Sequence, residues 1–306
     1  MDQVNIATEP AARRLPDDIA AKIAALGPVI GDKVNAATRQ IFLPMLKNAA
    51  WPAINVERDV AYGPDRERNL LDIHVPTALR ANAPVVAYFH GGGMIAGTKV
   101  DDSGLVYSNV ANYFASHGMI GVNATYRLAP QHKYPAGGED VGAVVAWLRD
   151  NVAKFGGDPA KVFIMGHSAG AAHVATYAFR SFLHPKDGPG IAGAILVSGG
   201  YGLDAKNPPA NRIAYYGEDT STWAGRQIIG NVERADFPVF VVVAEHDPVQ
   251  TQRFGAELAA DIALRHKRMP RFKQVLDHNH FSEMTALGTG DTSLGPDLID
   301  FVEGAR

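Results

Sequence analysis

Hydrophobic and polar positions change rhythm several times along this chain. Residues 16–26 place Ile19, Ile23 and Leu26 at helical spacing behind Pro16-Asp17-Asp18 and ahead of Gly27-Pro28, which predicts a first helix. A second helical segment is predicted over residues 33–47, interrupted at Pro44, and Trp51-Pro52 closes the region. From residue 55 the period drops to two. Residues 56–62 alternate, Gly63-Pro64-Asp65 turns, and residues 70–76 form a second strand, so a hairpin is predicted. Residues 83–90, 119–126, 161–165, 191–197 and 237–244 are mostly apolar runs, as strands buried on both faces require, and residues 271–276 read as the last strand. Between them, residues 109–117 and 139–155 read as helices, the second with Val141, Val144, Val145, Leu148 and Val152 on one face. Gly295-Pro296 opens a last amphipathic helix with Leu298, Ile299 and Val302. Strands alternating with helices predict an α/β fold around a mostly parallel sheet with helices on both faces. Residues 1–55 form a helical arm or lid, and residues 56–306 the main domain.

At 306 residues the chain is long enough for one large α/β domain. A formal net charge of -3 gives no basic excess, which argues against nucleic acid as a partner. The absence of cysteine removes disulfides, cysteine nucleophiles and thiolate metal sites together and is compatible with the cytoplasm, the expected location. Residues 1–5 lack the basic and apolar regions of a signal peptide, and no apolar run is long enough to span a bilayer. Asn123-Ala124-Thr125 matches a glycosylation sequon but falls inside a predicted buried strand and is discounted.

The chemistry gathers at strand ends. Gly166-His167-Ser168-Ala169-Gly170 follows a short apolar strand and precedes a small-residue helix. A strand that reverses sharply into a helix needs small residues on both sides, and the strained turn lifts the serine to the top of the sheet. There the free N–H groups of the helix start favour a developing negative charge. Earlier in the chain, residues 83–90 run into Gly91-Gly92-Gly93, whose bare backbone can approach a ligand closely. A phosphate loop is a poor match, because neither Lys-Ser/Thr nor G-x-G-x-x-G follows. His-Gly-Gly-Gly read together with Ser168 is the oxyanion-hole motif of α/β-hydrolase esterases.

These motifs, with Tyr126-Arg127-Leu128-Ala129-Pro130, Pro135, Glu139-Asp140 and Phe155-Gly156-Gly157-Asp158-Pro159, give a chain that resembles the α/β-hydrolases of the esterase–lipase group. It most resembles the hormone-sensitive-lipase-like and related bacterial carboxylesterases over residues 56–303. The hairpin at residues 56–76 is also similar to that of arylformamidase and feruloyl-esterase-like relatives. Two positions depart from the pattern. Met94 stands where many such esterases carry an aromatic residue, which bears on the shape of the acyl pocket. His167 stands where the lipase-like group often carries an acid, which tilts the kinship towards the arylformamidase side.

The resemblance implies a triad in the order Ser, acid, His. The acid follows the strand at residues 237–244: Asp247 is favoured by the resemblance, with Glu245 as its rival. The base follows the strand at residues 271–276: His280, directly before Phe281, fits the relatives' His-Phe pattern better than His278. A metal reading of Asp277, His278 and His280 is thin, since no further ligand is identifiable. His173 is expected to pack and His167 to neighbour the site. The resemblance further implies an oxyanion hole from the N–H groups of Gly92, Gly93 and Ala169, and no cofactor or metal. The expected activity is hydrolysis of small esters of short-chain or aromatic acids through an acyl-enzyme. Arylformamidase activity with the same triad and a non-catalytic ligand-binding relative are the alternatives. Met94, Tyr201, Trp223 and Phe281 are the candidate substrate-contacting residues, and residues 201–235, rich in Pro, Gly and Tyr, are either a pocket wall or a surface excursion. A homodimer through an edge strand or outer helix is left open.

Overall fold

The computed structural model describes residues 15–305; the leader expectation for residues 1–5 and the first part of the arm lie outside them. Elements follow in the order α1 (Asp17–Ala25), α2 (Asp32–Lys47), β1 (Ile54–Ala61), β2 (Leu70–Pro76), β3 (Ala83–Phe89), α3 (Ser108–Ser116), β4 (Ile120–Ala124), α4 (Ala136–Asn151), β5 (Gly157–His167), α5 (Ala169–Phe179), β6 (Gly193–Val197), α6 (Ala210–Tyr216), β7 (Val239–His246), α7 (Val249–His266), β8 (Arg271–Asn279), α8 (Ser282–Thr285) and α9 (Gly295–Gly304). The strands form one eight-stranded sheet in the order β1-β2-β4-β3-β5-β6-β7-β8. Pairing is antiparallel at β1/β2 and β2/β4 and parallel from β4 to β8. Among the described residues no helix is long and apolar enough to cross a membrane.

The all-apolar runs of the sequence are explained by helices on both faces. Successive side chains of a strand point to opposite sides. On β3, Val85, Ala87 and Phe89 join the core under α4, α5 and α7, whereas Val86 and Tyr88 join the core under α3 and α9. Strands covered on both faces need no polar positions, so their sequence loses the period of two that the outer hairpin keeps.

Several strand ends shift by two or three residues from expectation, and three boundary differences have a packing or pairing reason. The second helix is not interrupted at Pro44: α2 runs through it, because Thr38, Phe42 and Leu46, spaced four apart, are buried on one face and hold the helix across the missing N–H bond. The helix expected from residue 139 begins at Ala136 and gives way to a 3-10 turn at Val152–Phe155. Its first glycines are packing residues rather than breakers: a Cβ on Gly137 would lie 2.2 Å from the His173 ring, and one on Gly138 would lie 2.9 Å from Thr176. β5 begins at Gly157, earlier than expected, because Gly157 pairs with Ala83 on the neighbouring strand.

The two N-terminal helices pack against the elements around β8 and α8. Ile23 of α1 and Phe42 of α2 share a small core with Ala286, just beyond α8. Thr38 of α2 accepts a 2.9 Å hydrogen bond from Asn279 at the end of β8, and Arg39 pairs with Asp101 at 3.2 Å.

Candidate active site

Ser168, Asp247, His280 and the glycine loop each lie just past the C-terminal end of a parallel strand, the edge at which open α/β sheets place their ligands. β5 ends at His167 and α5 starts at Ala169, leaving Ser168 as the single residue of the turn, with φ 55° and ψ -116°. A non-glycine residue in this region is strained. Its backbone is fixed from the next strand, since its N–H donates to Val197 at 2.9 Å. The flanking glycines are dictated by space: a Cβ on Gly166 would lie 2.4 Å from Gly170, and one on Gly170 would lie 2.1 Å from the Phe89 carbonyl oxygen.

The glycine loop after β3 lies directly against this turn. A Cβ on Gly91 would meet the His167 ring at 3.1 Å and the Ser168 Cβ at 3.2 Å. Gly92 (φ 133°) and Gly93 (φ 63°) adopt backbone conformations that side chains disfavour, and a Cβ on Gly92 would collide with the Ala96 carbonyl at 2.0 Å. Among the described residues, neither the Gly92 nor the Gly93 N–H is taken by an intramolecular hydrogen bond. Ala169 is the first residue of α5, so its N–H has no acceptor within the helix. Behind the loop, His90 donates from Nδ1 to the Gly91 carbonyl at 2.6 Å and stacks on Tyr126 with centroids 4.4 Å apart. Burial drives its imidazole down to about 3, so it stays neutral.

The loop after β7 brings Asp247 to the loop after β8. Both side chains are buried, and Nδ1 of His280 donates to Oδ1 of Asp247 at 2.7 Å. The other oxygen, Oδ2, accepts from the Ser198 hydroxyl at 2.5 Å and the Ala244 N–H at 2.9 Å. Burial pushes the Asp247 carboxyl up, but the hydrogen bond from His280, with Ser198 and Ala244 behind it, outweighs that and holds it below the ordinary carboxylate value. With Nδ1 committed to Asp247, the remaining ring nitrogen of His280, Nε2, is buried without a hydrogen-bond partner among the described residues. The rivals face elsewhere. Glu245 accepts from the Asp277 N–H at 2.7 Å, and His278 meets Ser282 at 3.0 Å and Asp291 at 3.5 Å.

His167 ties the serine turn to the histidine loop. Its Nε2 donates to the His280 carbonyl at 2.6 Å, and the two rings lie 4.7 Å apart. Burial, then the neighbouring His280, holds it neutral, down to about 3. His173 packs edge-on against Tyr126 and Tyr215 at 4.6 and 5.0 Å.

Of the other candidates, Met94 is buried beside Ala169 and Ala172, in an apolar cluster with Tyr215, Tyr216 and Trp223. Tyr201 lies in the main core under α5 and α7. Phe281 is half-buried and stands edge-on to His280, 5.2 Å between centroids. Tyr201 and Trp223 are thus closed-in packing residues, each about 1% exposed. Residues 201–235 form α6 and a 3-10 turn at Thr220–Gly225 that pack on the glycine loop. Asn211 of α6 donates to the Gly93 carbonyl at 3.0 Å.

Four residues around the site carry no sequence signal that singles them out: Ser198, Asn211, Asn279 and Glu283. Glu283 is buried with neither carboxyl oxygen hydrogen-bonded among the described residues, and Oε1 lies 3.8 Å from His167 Nε2. Burial, then the Asp247 charge, pushes it well above the ordinary carboxylate range. His167, His280 and Glu283 offer ligand atoms within 4.8 Å of one another, an arrangement that could hold a metal ion. Asp277 and His278 are not part of it.

Over 118 residues, 37% of this chain and 34% of the relative, the sequence is 39% identical to carboxylesterase NlhH of Mycobacterium tuberculosis. Over 202 residues, 59% of this chain and 61% of the relative, it is 32% identical to esterase LipI of the same organism. The chain thus spans between a third and three-fifths of the length of these relatives. Among solved structures, an esterase from Pyrobaculum calidifontis superimposes with a TM-score of 0.66 over 95% of this chain and 99% of that one, at 22% identity, which shows a shared fold. Residues 86–268, from the glycine-loop strand through the Asp247 loop, match the model of the alpha/beta hydrolase fold family, and the chain belongs to that family.

Proposed function

We propose that this protein is a serine hydrolase that cleaves small carboxylic esters through an acyl-enzyme. The observation that carries the reading is the buried Asp247–His280 pair, whose Nε2 is unpartnered and whose backbone is tied through His167 to the strained turn holding Ser168. A serine hydroxyl is a weak nucleophile; a histidine already oriented by a carboxylate is what activates it.

In this reading Ser168 Oγ attacks the ester carbonyl carbon as His280 Nε2 takes its proton. Asp247 keeps Nδ1 protonated and stabilises the imidazolium. The carbonyl oxygen becomes an oxyanion facing the N–H groups of Gly92, Gly93 and Ala169; one such donor is worth about 2.7–4 kcal/mol in comparable sites. Collapse expels the alcohol, which receives the proton from His280. Water, deprotonated by the same nitrogen, then releases the acid and restores Ser168. The apolar cluster of Met94, Tyr216 and Trp223 backs the nucleophile helix at Ala169 and Ala172. The cysteine-free composition is compatible with a cytoplasmic site of action.

Turnover of p-nitrophenyl esters from acetate to laurate, with a fluorophosphonate label located by peptide mass spectrometry, tests the reading. Ser168 should carry the label, and short chains should turn over fastest. Ser168→Ala should lose activity by several orders of magnitude while keeping its fold; turnover retained by that variant would remove Ser168 from the mechanism.

A further inference from the structure

α6 places a cation beside the glycine loop that the reaction above does not use. Arg212, half-buried, reaches the Met94 sulfur with Nη1 at 3.3 Å. Met94 in turn packs in the same cluster as Ala169, the residue after Ser168. The guanidinium also lies over the backbone after β6: a Cβ on Gly200 would sit 2.0 Å from Nη2, so the glycine there makes room for it. Its charge reaches the nucleophile helix, where after burial and His90 it helps to keep His173 neutral.

Among the described residues, no carboxylate lies within ion-pair distance of Arg212. Other partly buried arginines have strong acceptors: Arg127 pairs with Asp140 and Glu139, Arg180 with Glu233 and Arg271 with Asp297 and Asp300, while Arg68 donates to the Tyr126 and Gly97 carbonyls at 3.0 Å and Arg226 to the Tyr216 carbonyl; among the described residues Arg212 has neither an acid nor a carbonyl acceptor. A planar fork of donors left without an acid, on the wall of a site that accepts a small molecule, matches a carboxylate brought by that molecule.

Building on the ester-hydrolase reading, we propose that Arg212 holds a carboxylate on the acyl part of the substrate. The preferred substrates are then monoesters of short dicarboxylic acids, with the scissile ester at one end and the free acid at the other. The acyl side is assigned because Arg212 reaches the site through Met94, which follows the oxyanion glycines.

Mono-p-nitrophenyl glutarate and p-nitrophenyl hexanoate are of similar length and differ in that charge. Wild-type kcat/KM should favour the glutarate ester about tenfold, as a charge-assisted contact at a half-exposed site allows, and the preference should shrink at high salt. Arg212→Met should collapse the ratio, chiefly through KM, and Arg212→Lys should keep part of it. A wild-type preference for hexanoate, or a ratio unmoved in Arg212→Met, overturns the proposal; the wild-type comparison decides even if the variant does not fold. Free glutarate should raise the melting temperature of the wild type more than butanol does, and of Arg212→Met no more than butanol does. This arm needs no turnover, so inactivity towards both esters would count against the ester reading while the anion site was still decided.

Discussion

The hydroxyl of Ser198 gives its single proton to Oδ2 of Asp247 at 2.5 Å, the carboxylate oxygen that His280 does not use. Ser198 stands one residue past β6 with φ 48°, its N–H anchored on Val242 at 2.9 Å, so the strand end presents the hydroxyl in a fixed direction. Asp247 is thereby gripped from two sides, and the imidazole it orients is gripped with it.

Ser198→Ala should therefore cost stability and catalysis together. Loss of a hydrogen bond to a buried charge is worth about 1.5–3 kcal/mol, read as a lower urea midpoint with an unchanged slope. The kcat should fall several-fold with KM little altered, since the substrate does not touch Ser198. A rise in KM at constant kcat would place Ser198 in the substrate site instead.

Glu283 gives a pH dependence whose sign can be worked out. Its carboxyl is pushed well above its ordinary value of 4.5 in the folded state, by burial first and then by Asp247. Between 4.5 and the folded value the unfolded chain releases a proton that the native chain keeps. Stability therefore falls as pH rises through that window, by up to about 1.4 kcal/mol per unit. Glu283→Gln keeps the shape and removes the titration. Its melting temperature should exceed that of the wild type by a margin that widens from pH 5 to pH 8. A margin constant with pH would mean that Glu283 is ionised in the native protein.

The alternation of strands and helices and the motifs at strand ends were legible because they are written locally. Gly166, Ser168 and Gly170 are demanded by a turn in which any Cβ at the glycines would collide, and the apolar runs mark buried parallel strands whichever helices cover them. Asp247 and His280 were reachable because each comes within a few residues of a strand end and matches the pattern of the family that the chain resembles. Their rivals Glu245 and His278 could not be dismissed from spacing, because what separates them is the direction of a side chain after a loop. Ser198 and Glu283 act on elements 30 or more positions away, Asn279 joins a local turn to the distant Thr38, and single serines, acids and asparagines do not announce such partners. Gly137 and Gly138 misled the reading of α4 because a glycine that admits a neighbouring helix looks, in sequence, like one that ends a helix.

Acid should unfold this protein early. His90, His167 and His173 are buried, and burial lowers each from 6.5 to about 3. Each takes up a proton on unfolding below pH 6.5 that the native state refuses until about pH 3. Stability is therefore lost as pH falls through that interval, by up to about 1.4 kcal/mol per unit for each histidine. Among the described residues His173 makes no hydrogen bond through either ring nitrogen, so His173→Phe removes one such proton with no bond to replace. Urea midpoints from pH 7 to pH 4 should decline less steeply in this variant, whatever its stability at pH 7. Parallel declines would show that His173 is already protonated in the native protein.

Asn279 bears on what the N-terminal arm does. Its Oδ1 accepts the N–H groups of Phe281 and Ser282 at 3.0 and 2.9 Å, closing a turn around His280, while its Nδ2 donates to Thr38 on α2 at 2.9 Å. The arm thus touches the candidate base through one buried asparagine, from behind. A brace and a lid predict different kinetics. If α2 braces the turn, Thr38→Val leaves Nδ2 unsatisfied and loosens His280, so kcat drops by a similar factor for every ester from acetate to laurate. Asn279→Ala, which also strands two N–H groups, should drop it further and cost about 1–3 kcal/mol or more of stability. If α2 is a lid, Thr38→Val changes KM and does so unevenly along the series, most for the long chains that a lid must clear. The bond from Asn279 to Thr38 favours the brace, and a chain-length-dependent KM effect in Thr38→Val would reverse that assignment.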